Sequence, residues 1–388
     1  MNQNPSENPV VIVGGGFAGL STALELSRYK RSPPVVLFEP RHEFTFSPLL
    51  YELLSDEAQS WEVAPSYNSL LSKHGVVLIH ENVEKIDTKT QTVISDLGKE
   101  INYDYLVIAT GSKPQDCGVK GVKENAFLFN KTEDVELLRA RVKELREVSW
   151  KRNNLVIVGA GFSGVELACK LADLLTSTTD IHLIEKEERI LSRAKSFNRE
   201  QAEMALKEKN IINHLQVEVD LITSKEIKLK QKIGSSNDSL SINYDCLIWT
   251  IGSIPNVPLI CPSVPLQNGK ILVNSCLRVK ESQNLFAIGD LACTQGNSWP
   301  ISAQLAIQQA KVVAKNLMLL RSAGKPCDFD YQDFGEMLSL GIGNASFTGL
   351  GLTFSGSFAF QIRRMAYLTR FPGLSLGLRS AGAWLLDS

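Results

Sequence analysis

Two six-residue glycine motifs, at residues 14–19 and 159–164, are the strongest indication of chemistry in this sequence. They read Gly-Gly-Gly-Phe-Ala-Gly and Gly-Ala-Gly-Phe-Ser-Gly, and each follows an apolar run and precedes a helix-forming run. In a Gly-x-Gly-x-x-Gly turn the first glycine permits a tight bend, the second lets the backbone approach a pyrophosphate, and the third lets helix and strand pack closely. The N–H groups of the helix N-terminus then face the phosphates. Two copies therefore predict two bound dinucleotides.

An acidic residue ends the next apolar run after each motif. Glu39 follows the first motif and Glu185 the second, at nearly the same spacing. A carboxylate in this place accepts hydrogen bonds from a ribose diol. A 2′-phosphate about 4 Å from Glu185 would be repelled by about 1 kcal/mol in water and about 4 kcal/mol in a partly shielded site, which favours NADH over NADPH. Lys186 and Arg189 could offset that repulsion, so NADPH stays open as a donor.

Length and charge limit the class of protein. A chain of 388 residues suits two or three domains. A formal net charge of −1 without a basic surplus argues against nucleic-acid binding. Residues 1–8 are polar and lack a secretion signal, and no run of about 18 apolar residues occurs, so we expect neither secretion nor a membrane-spanning helix.

The cysteines and histidines are scattered. No Cys-x-x-Cys or Cys-x-x-x-x-Cys pair occurs among the seven cysteines, so electron transfer to a disulfide is not expected, and the cysteines are interpreted as small apolar core residues. The five histidines form no cluster at ligand spacing, so no metal site is predicted.

Three further strand patterns extend the duplication beyond the glycines. Residues 103–111 and 244–252 are similar apolar runs that end in a small polar turn, and a third run, 284–290, ends in Gly289 and Asp290. Asp290 could bind a sugar-alcohol chain at the carboxyl end of a strand, or it could cap a turn. A helical pattern follows at 303–311, and the polar segment 230–239 predicts an exposed hairpin or loop.

The order of these motifs resembles the flavoprotein reductases with two dinucleotide-binding domains. The resemblance implies an α/β fold similar to glutathione reductase, with two Rossmann-like domains. It places the FAD-binding domain at residues 1–115 and 255–325, an inserted NAD(P)H-binding domain at 116–254 and a carboxyl-terminal membrane or quinone-site region at 326–388. In that family the first motif and acid bind FAD, the second motif binds NADH or NADPH, and the Ala-Thr-Gly and Gly-Asp turns contact FAD.

Within that superfamily the chain looks most similar to the type II NAD(P)H:quinone oxidoreductases. Three segments carry the resemblance: residues 42–51, Glu166 directly after the second motif, and an Ala-Gln-x-Ala-x-Gln helix that begins at Ala303. The carboxyl-terminal region departs from the pattern because it is short and lacks the usual His-Leu. Its length and its Leu/Gly/Arg-rich tail resemble a compact subgroup from oxygenic phototrophs, the demethylphylloquinone reductases, which are associated with NADPH.

The resemblance implies hydride transfer from the nicotinamide to the flavin and then delivery of two electrons to a quinone, without proton pumping. Glu166 could tune the nicotinamide or relay a proton, or it could be a glutamate that complements the helix dipole. Gln304 could bind a quinone or flavin carbonyl, or it could be a helix-surface residue. The predicted cofactor contacts are Gly14, Gly16, Phe17, Ala18, Gly19, Glu39, Pro48, Leu49, Ala109, Thr110, Gly111, Gly159, Gly161, Gly164, Glu185, Gly252, Gly289, Asp290 and Ala303.

The carboxyl-terminal tail offers a way to reach a membrane quinone such as demethylphylloquinone, menaquinone, plastoquinone or ubiquinone. Four arginines (Arg363, Arg364, Arg370 and Arg379) stand against Asp387, interspersed with apolar and aromatic residues (Phe358, Phe360, Ile362, Met365, Tyr367 and Leu368). Leu374, Leu378, Ala381 and Leu385 follow at helical spacing, beside Trp384. This pattern favours an interfacial helix on the cytoplasmic side of a plasma or thylakoid membrane. The alternative is a helix that packs in the core or in a homodimer.

Three other functions share the nucleotide motifs. A soluble reductase for a ferredoxin-like or rubredoxin-like partner would not need the basic apolar tail. A sulfide:quinone reductase would need paired cysteines near the flavin. A redox sensor would bind both nucleotides and turn over slowly.

Overall fold

A computed structural model of the chain describes residues 8–147, 151–175, 178–231, 239–296 and 299–386. Its first part contains the elements β1 Val10–Val13, α1 Phe17–Ser27, β2 Val35–Phe38, α2 Leu50–Leu54, α3 Ser60–Val63, α4 Tyr67–Leu71, β3 Val76–Ile79, β4 Val83–Asp87, β5 Thr92–Ser95, β6 Glu100–Asn102, β7 Tyr105–Ile108 and β8 Ser112–Pro114.

The second part follows without returning to the first. It contains α5 Val122–Asn125, α6 Thr132–Glu147, β9 Asn153–Val158, α7 Phe162–Leu174, β10 Thr179–Ile184, α8 Ser196–Glu208, β11 Ile212–His214, β12 Val217–Ile222, β13 Glu226–Gln231, β14 Ser239–Asn243 and β15 Cys246–Trp249. The segment 230–239, predicted as an exposed hairpin or loop, begins in the last two residues of β13 and ends at the first residue of β14, and these strands pair antiparallel. Residues 232–238 fall outside the described part.

The chain then returns to the first part and ends in a separate region. The return contains β16 Ser253–Pro255, β17 Leu259–Cys261, β18 Leu266–Gln267, β19 Lys270–Val273, β20 Leu285–Ala287, β21 Ala292–Thr294 and α9 Ala303–Arg321. The carboxyl-terminal region contains β22 Glu336–Ser339, β23 Ala345–Gly349, β24 Leu352–Ser355, α10 Gly356–Leu368 and α11 Leu374–Leu386.

Each glycine motif directly follows the carboxyl end of a central strand of its own parallel sheet. The first sheet has the order β20-β7-β1-β2-β3, and the second has the order β11-β10-β9-β15. The central strands β1 and β9 are almost wholly buried, because parallel sheets are covered on both faces and their strands are accordingly rich in valine and isoleucine. The predicted α/β class with two Rossmann-like parallel sheets is confirmed.

The first sheet is completed by a strand that comes after the whole second sheet. Strand β20 pairs in parallel with β7, in the register Leu285 to Leu106. The two chain segments that cross between the sheets, β8 and β16, pair antiparallel with each other. The predicted boundaries at 115/116 and 254/255 fall at this pair, and the full set of boundaries stays a prediction.

The carboxyl-terminal region is a three-stranded antiparallel sheet with α10 packed against its central strand. The tail predicted to be helical forms α10 and α11, although the side chains of Leu374 and Leu385 and all of Asp387 lie outside the described residues. No helix in the described ranges is both long enough and apolar enough to cross a membrane.

Candidate functional site

The first glycine turn has the geometry that a pyrophosphate needs. Gly14 has a φ of +97°, and a Cβ there would stand 2.6 Å from the carbonyl oxygen of Ala109. A Cβ on Gly19 would stand 1.8 Å from the carbonyl oxygen of Gly14, so α1 packs directly on the turn. A Cβ on Gly16 would meet no atom within 4 Å. The first and third glycines are therefore required by packing, and the second faces open space.

The second turn repeats this arrangement. Gly159 has a φ of +105°, and its Cβ would collide with side chains of the closing strand's turn, at 2.8 Å from Thr250 Oγ1. A Cβ on Gly164 would stand 1.8 Å from the carbonyl oxygen of Gly159, whereas one on Gly161 would meet nothing within 4 Å. Both turns thus leave room for phosphates at the same place.

Glu39 is buried and held in place on the first side. Only 3% of its surface is exposed. Its carboxylate accepts hydrogen bonds from the backbone N–H of Gly15 (2.7 Å) and from Nε of Arg41 (2.8 Å). Burial by itself would raise the pKa of Glu39, but the hydrogen bonds and charge of Arg41, with the Gly15 N–H, bring that pKa below its usual value. Glu39 is therefore a fixed, ionised acceptor.

Glu185 is held more loosely on the second side. It is partly exposed and accepts hydrogen bonds from the backbone N–H groups of Ala160 (2.8 Å) and Glu187 (3.1 Å). No lysine or arginine nitrogen lies within 4 Å of Glu185 in the part of the chain that the structure describes; Lys186 and Arg189 are both exposed.

The predicted Ala-Thr-Gly and Gly-Asp turns come together at the carboxyl ends of β7 and β20. Ser112, just after Gly111, donates a hydrogen bond from Oγ to Asp290 Oδ2 at 2.8 Å. The N–H of Gly289 donates to Gln309 Oε1 at 2.7 Å, and Thr110 Oγ1 donates to a backbone carbonyl at 2.5 Å. Gln309, the residue that follows the Ala-Gln-x-Ala-x-Gln motif in α9, therefore fixes the Gly-Asp turn.

Two aromatic residues after Glu39 pack against the first turn, whereas the carbonyl oxygen of Pro48 accepts a hydrogen bond from Arg363. Phe17 packs edge-on against Phe44 and Phe46, with ring centroids 5.1 and 5.3 Å apart. Ala18 lies 3.5 Å from the place a Cβ on Gly289 would take, and Leu49 is buried. Gly252 lies instead where the chain crosses between the sheets, because its Cβ would stand 2.7 Å from the carbonyl oxygen of Gln115.

Glu166 lies on α7, at a junction of all three parts of the chain. Its carboxylate accepts a hydrogen bond from the backbone N–H of Ser339 in β22 (2.7 Å) and lies 3.6 Å from Nη2 of Arg363 in α10. Burial raises the pKa of Glu166 to about 7, with Glu52 adding to the rise and Arg363, the Ser339 N–H and Lys170 opposing it. Such a carboxyl group can hold and release a proton near neutral pH.

Gln304 is a buried residue at the start of α9, and the helix-surface interpretation is wrong for it. Its Nε2 donates to the hydroxyl of Tyr331 at 2.8 Å, and its Oε1 accepts from Nη2 of Arg370 at 3.0 Å. Ala303 is the first residue of the same helix. The amide is therefore held by two residues of the region between α9 and the chain's end.

Arg363 is a site residue that the sequence interpretation placed elsewhere. Only 1% of its surface is exposed; it pairs with Glu52 and donates from Nη2 to the carbonyl oxygen of Pro48 at 3.1 Å. Assigning Arg363 to a lipid-facing surface was therefore wrong, and the core-packing alternative holds for it. Its spacing from the buried Phe360 and Tyr367, three and four residues away on one helix face, is the signal that could have found it.

Comparisons with known proteins agree with this architecture. The pattern of the pyridine nucleotide-disulphide oxidoreductase family matches residues 8–310. A demethylphylloquinone reductase from Synechocystis sp. is 35% identical, over 97% of this chain and 97% of that protein. The alternative NAD(P)H-ubiquinone oxidoreductase C1 from Arabidopsis thaliana is 31% identical, over 94% of this chain and 78% of that protein.

Solved structures show the same fold. The structure of NDH2 from Plasmodium falciparum in complex with NADH superposes with a TM-score of 0.87 at 17% identity, covering 98% of each chain. The sulfide:quinone oxidoreductase of Aquifex aeolicus superposes with a TM-score of 0.79 at 21% identity, covering 93% of this chain and 90% of that chain.

Proposed function

The chain belongs to the pyridine nucleotide-disulphide oxidoreductase family, and from that premise we propose that it transfers two electrons from NAD(P)H through FAD to a quinone, as a type II NAD(P)H:quinone oxidoreductase. The observation that carries the proposal is the pair of complete glycine turns, in a chain similar along 97% of its length to a demethylphylloquinone reductase.

The residues fit one dinucleotide in each turn. FAD fits the first, where Glu39 is fixed to accept a ribose diol and Asp290, held by Ser112, follows the carboxyl end of β20. NADH or NADPH fits the second, beside Glu185. When bound, FAD supplies a centre that accepts two electrons from a nicotinamide and passes them to an acceptor.

Glu166 and Gln304 carry out the protein's part of the reaction. Reducing a quinone to a quinol requires two protons, and Glu166 holds one near neutral pH next to the second glycine turn. Gln304 presents an amide whose orientation Tyr331 and Arg370 fix, so that it can bind a carbonyl oxygen of the flavin or quinone. Neither role requires a redox cysteine, and electron delivery is direct.

We take the acceptor to be a naphthoquinone, because the relative with 35% identity is a demethylphylloquinone reductase. Glu185 has no lysine or arginine nitrogen within 4 Å among the described residues, and it favours NADH as the donor, since a 2′-phosphate would be repelled. The exposed Lys186 and Arg189 leave NADPH as the alternative.

A membrane quinone requires contact with lipid, and the carboxyl-terminal region offers an apolar surface. Phe358 and Met365 of α10 are 61% and 68% exposed, and Leu378 of α11 and Leu350 and Leu352 of the neighbouring sheet are exposed too. We propose that this surface rests on the cytoplasmic side of a plasma or thylakoid membrane. A homodimer built on the same surface is the alternative. Flotation with membranes would indicate lipid binding, and sedimentation of the detergent-free protein as a dimer would indicate the homodimer.

One anaerobic experiment tests donor, cofactor and acceptor. The purified protein is reduced with NADH or NADPH, and flavin reoxidation is followed with menaquinone, plastoquinone and ubiquinone analogues and with a ferredoxin. We expect the donor to reduce the flavin at least as fast as steady-state turnover, and a naphthoquinone to reoxidise it rapidly. Reoxidation by the ferredoxin alone would favour the soluble reductase, and slow reoxidation by every acceptor would favour the redox sensor.

A further inference from the structure

Five charged side chains, four of them buried and Glu57 partly exposed, form a cluster that we call the carboxylate cluster: Glu52, Glu57, Glu166, Lys170 and Arg363. Lys170 is the least expected member, because its side chain is fully buried. Lysine is almost never buried to this degree unless its ammonium is paired. It follows Glu166 by one helical turn on α7, so both side chains project from the same face of that helix.

The ion-pair partners of Lys170 lie in a different part of the chain from its own helix, α7. Its ammonium pairs with the carboxylate of Glu57 and lies 3.9 Å from Glu52 Oε1, both in the first part of the chain. Glu57 also accepts hydrogen bonds from Ser55 Oγ and, at 3.0 Å, from the backbone N–H of Gly343, in the turn between β22 and β23. Through Glu57, Lys170 therefore joins the second part of the chain to the other two.

Lys170 makes no hydrogen bond to Glu166. The carboxylate of Glu166 is bonded to the Ser339 N–H and faces Arg363. The Lys170 ammonium therefore acts on the Glu166 carboxyl group through space. Because both residues are buried, their charges are weakly screened. Three carboxyl groups share two cations in the cluster, so the protonation of Glu166 depends on each of the other charges.

We propose that Lys170 is a positioning residue of the quinone reductase: its ammonium, anchored by Glu57, sets how readily Glu166 takes up a proton and holds α7 against the carboxyl-terminal sheet. The use made of that proton rests on the proposed function. The setting of the proton affinity does not.

The surroundings of Glu166 agree with this role. The groups that face it are Arg363 and Tyr367 of α10, Glu52 and Tyr51 of α2, and Lys170 of α7. Of these, Lys170 and Arg363 lower the pKa of Glu166, and Glu52 raises it. Arg363 is the nearer cation, with Nη2 3.6 Å from Glu166, and it is also held by Glu52 and the Pro48 carbonyl. Lys170 is the second cation, and its ammonium is anchored by Glu57.

The test is an infrared titration of the protonated carboxyl C=O band in the full-length flavoprotein, with Glu166→Gln used to assign the band. Lys170→Met should raise the titration midpoint by about one pH unit, because one nearby cation is lost. Lys170→Arg keeps the charge and should hold the midpoint near that of the wild type. Glu57→Gln removes a negative charge and should lower the midpoint.

Opposite shifts in Lys170→Met and Glu57→Gln support the proposal, because loss of a purely structural contact would not give them opposite signs. Unchanged midpoints, or shifts in the same direction, overturn it. If Lys170→Met does not fold, the double variant Lys170→Met/Glu57→Gln leaves no charge unpaired, and its midpoint should lie above that of Glu57→Gln. The band does not depend on turnover, so a wild type that reduces no quinone would defeat the proposed function and leave this result standing.

Discussion

The two glycine turns have nearly the same backbone, but their acidic partners are held differently. Glu39 is 3% exposed and accepts hydrogen bonds from backbone N–H groups and from an arginine side chain. Glu185 is partly exposed and, among the described residues, accepts from backbone N–H groups alone. A buried, prearranged acceptor suits a cofactor that stays bound, because no ordering is left for binding to accomplish. A more open acceptor suits a substrate that must leave after each turnover.

The largest expected effect comes from replacing the third glycine of each turn by alanine. Gly19→Ala places a Cβ 1.8 Å from the Gly14 carbonyl oxygen, and Gly164→Ala places one 1.8 Å from the Gly159 carbonyl oxygen. We expect Gly19→Ala to be purified with less than about a tenth of its flavin, since overpacking of this kind costs about 1 to 3 kcal/mol or more. Gly164→Ala should keep its flavin and show a KM for NADH raised about tenfold. Flavin absorbance per protein and steady-state kinetics measure both; flavin loss in both variants would contradict the assignment.

The second expected effect is on the pH dependence of the free energy of unfolding, to which Glu166 and Glu39 contribute with opposite signs. Glu166 has a pKa of about 7 when folded and an ordinary one when unfolded, so the folded protein binds the extra proton and its stability falls as pH rises from about 4.5 to 7, by roughly 2 to 3 kcal/mol. Glu39 has a lowered pKa, so its contribution is present above its unfolded pKa and is lost as pH falls through the folded one.

Denaturant unfolding at several pH values measures this difference. Glu166→Gln should remove the decline between pH 4.5 and 7, and Glu39→Gln should leave that decline in place while weakening the loss of stability in acid. An unaltered pH dependence in Glu166→Gln would show that its carboxyl group ionises normally.

A third pair compares ligand affinities. Glu39→Gln should raise the Kd for FAD about tenfold to a hundredfold, because a hydrogen bond to a buried charged group contributes about 1.5 to 3 kcal/mol. Glu185→Gln should raise the KM for NADH only a fewfold with kcat unchanged, since its carboxylate is partly solvated. Titration of the flavin-free protein with FAD gives the first value. Equal losses of affinity in the two variants would contradict the difference between a fixed Glu39 and a more loosely held Glu185.

The smallest effect concerns the choice of donor. Glu185→Ser removes the charge that repels a 2′-phosphate and should improve NADPH relative to NADH about fivefold, which corresponds to about 1 kcal/mol. The ratio of kcat/KM for the two donors measures it, and Glu39→Gln, on the other side, is the control that should leave the ratio unchanged.

The features predicted from the sequence are those that neighbouring residues encode. Each glycine turn, its apolar strand and its acid lie within one βαβ unit, so their spacing alone predicts them. The carboxylate cluster was not predicted, because it unites Glu52, Lys170 and Arg363 from three distant segments. A lysine on an amphipathic helix and an arginine in a basic tail both resemble surface residues until the packing is known.

Gln304 was predicted as a site residue, whereas Arg363 was assigned to a lipid-facing surface. The helix pattern placed Gln304 in a candidate site but could not provide Tyr331 and Arg370 as its partners, since these follow α9 in an irregular segment and a helix end. For Arg363 the basic composition of the tail outweighed the spacing of Phe360 and Tyr367, and composition describes a whole segment rather than one face of a helix.

Because β20 joins the first sheet only after the second is complete, the order of synthesis matters to this chain. As the polypeptide leaves the ribosome, β7 presents an unpaired edge until residues 285–287 emerge, while the sheet of β9, β10, β11 and β15 already has all its strands. The second sheet can therefore form before the first sheet is complete. Asp290 and α9 arrive later still, so the groups beside the first glycine turn are complete only after the whole second sheet has been synthesised.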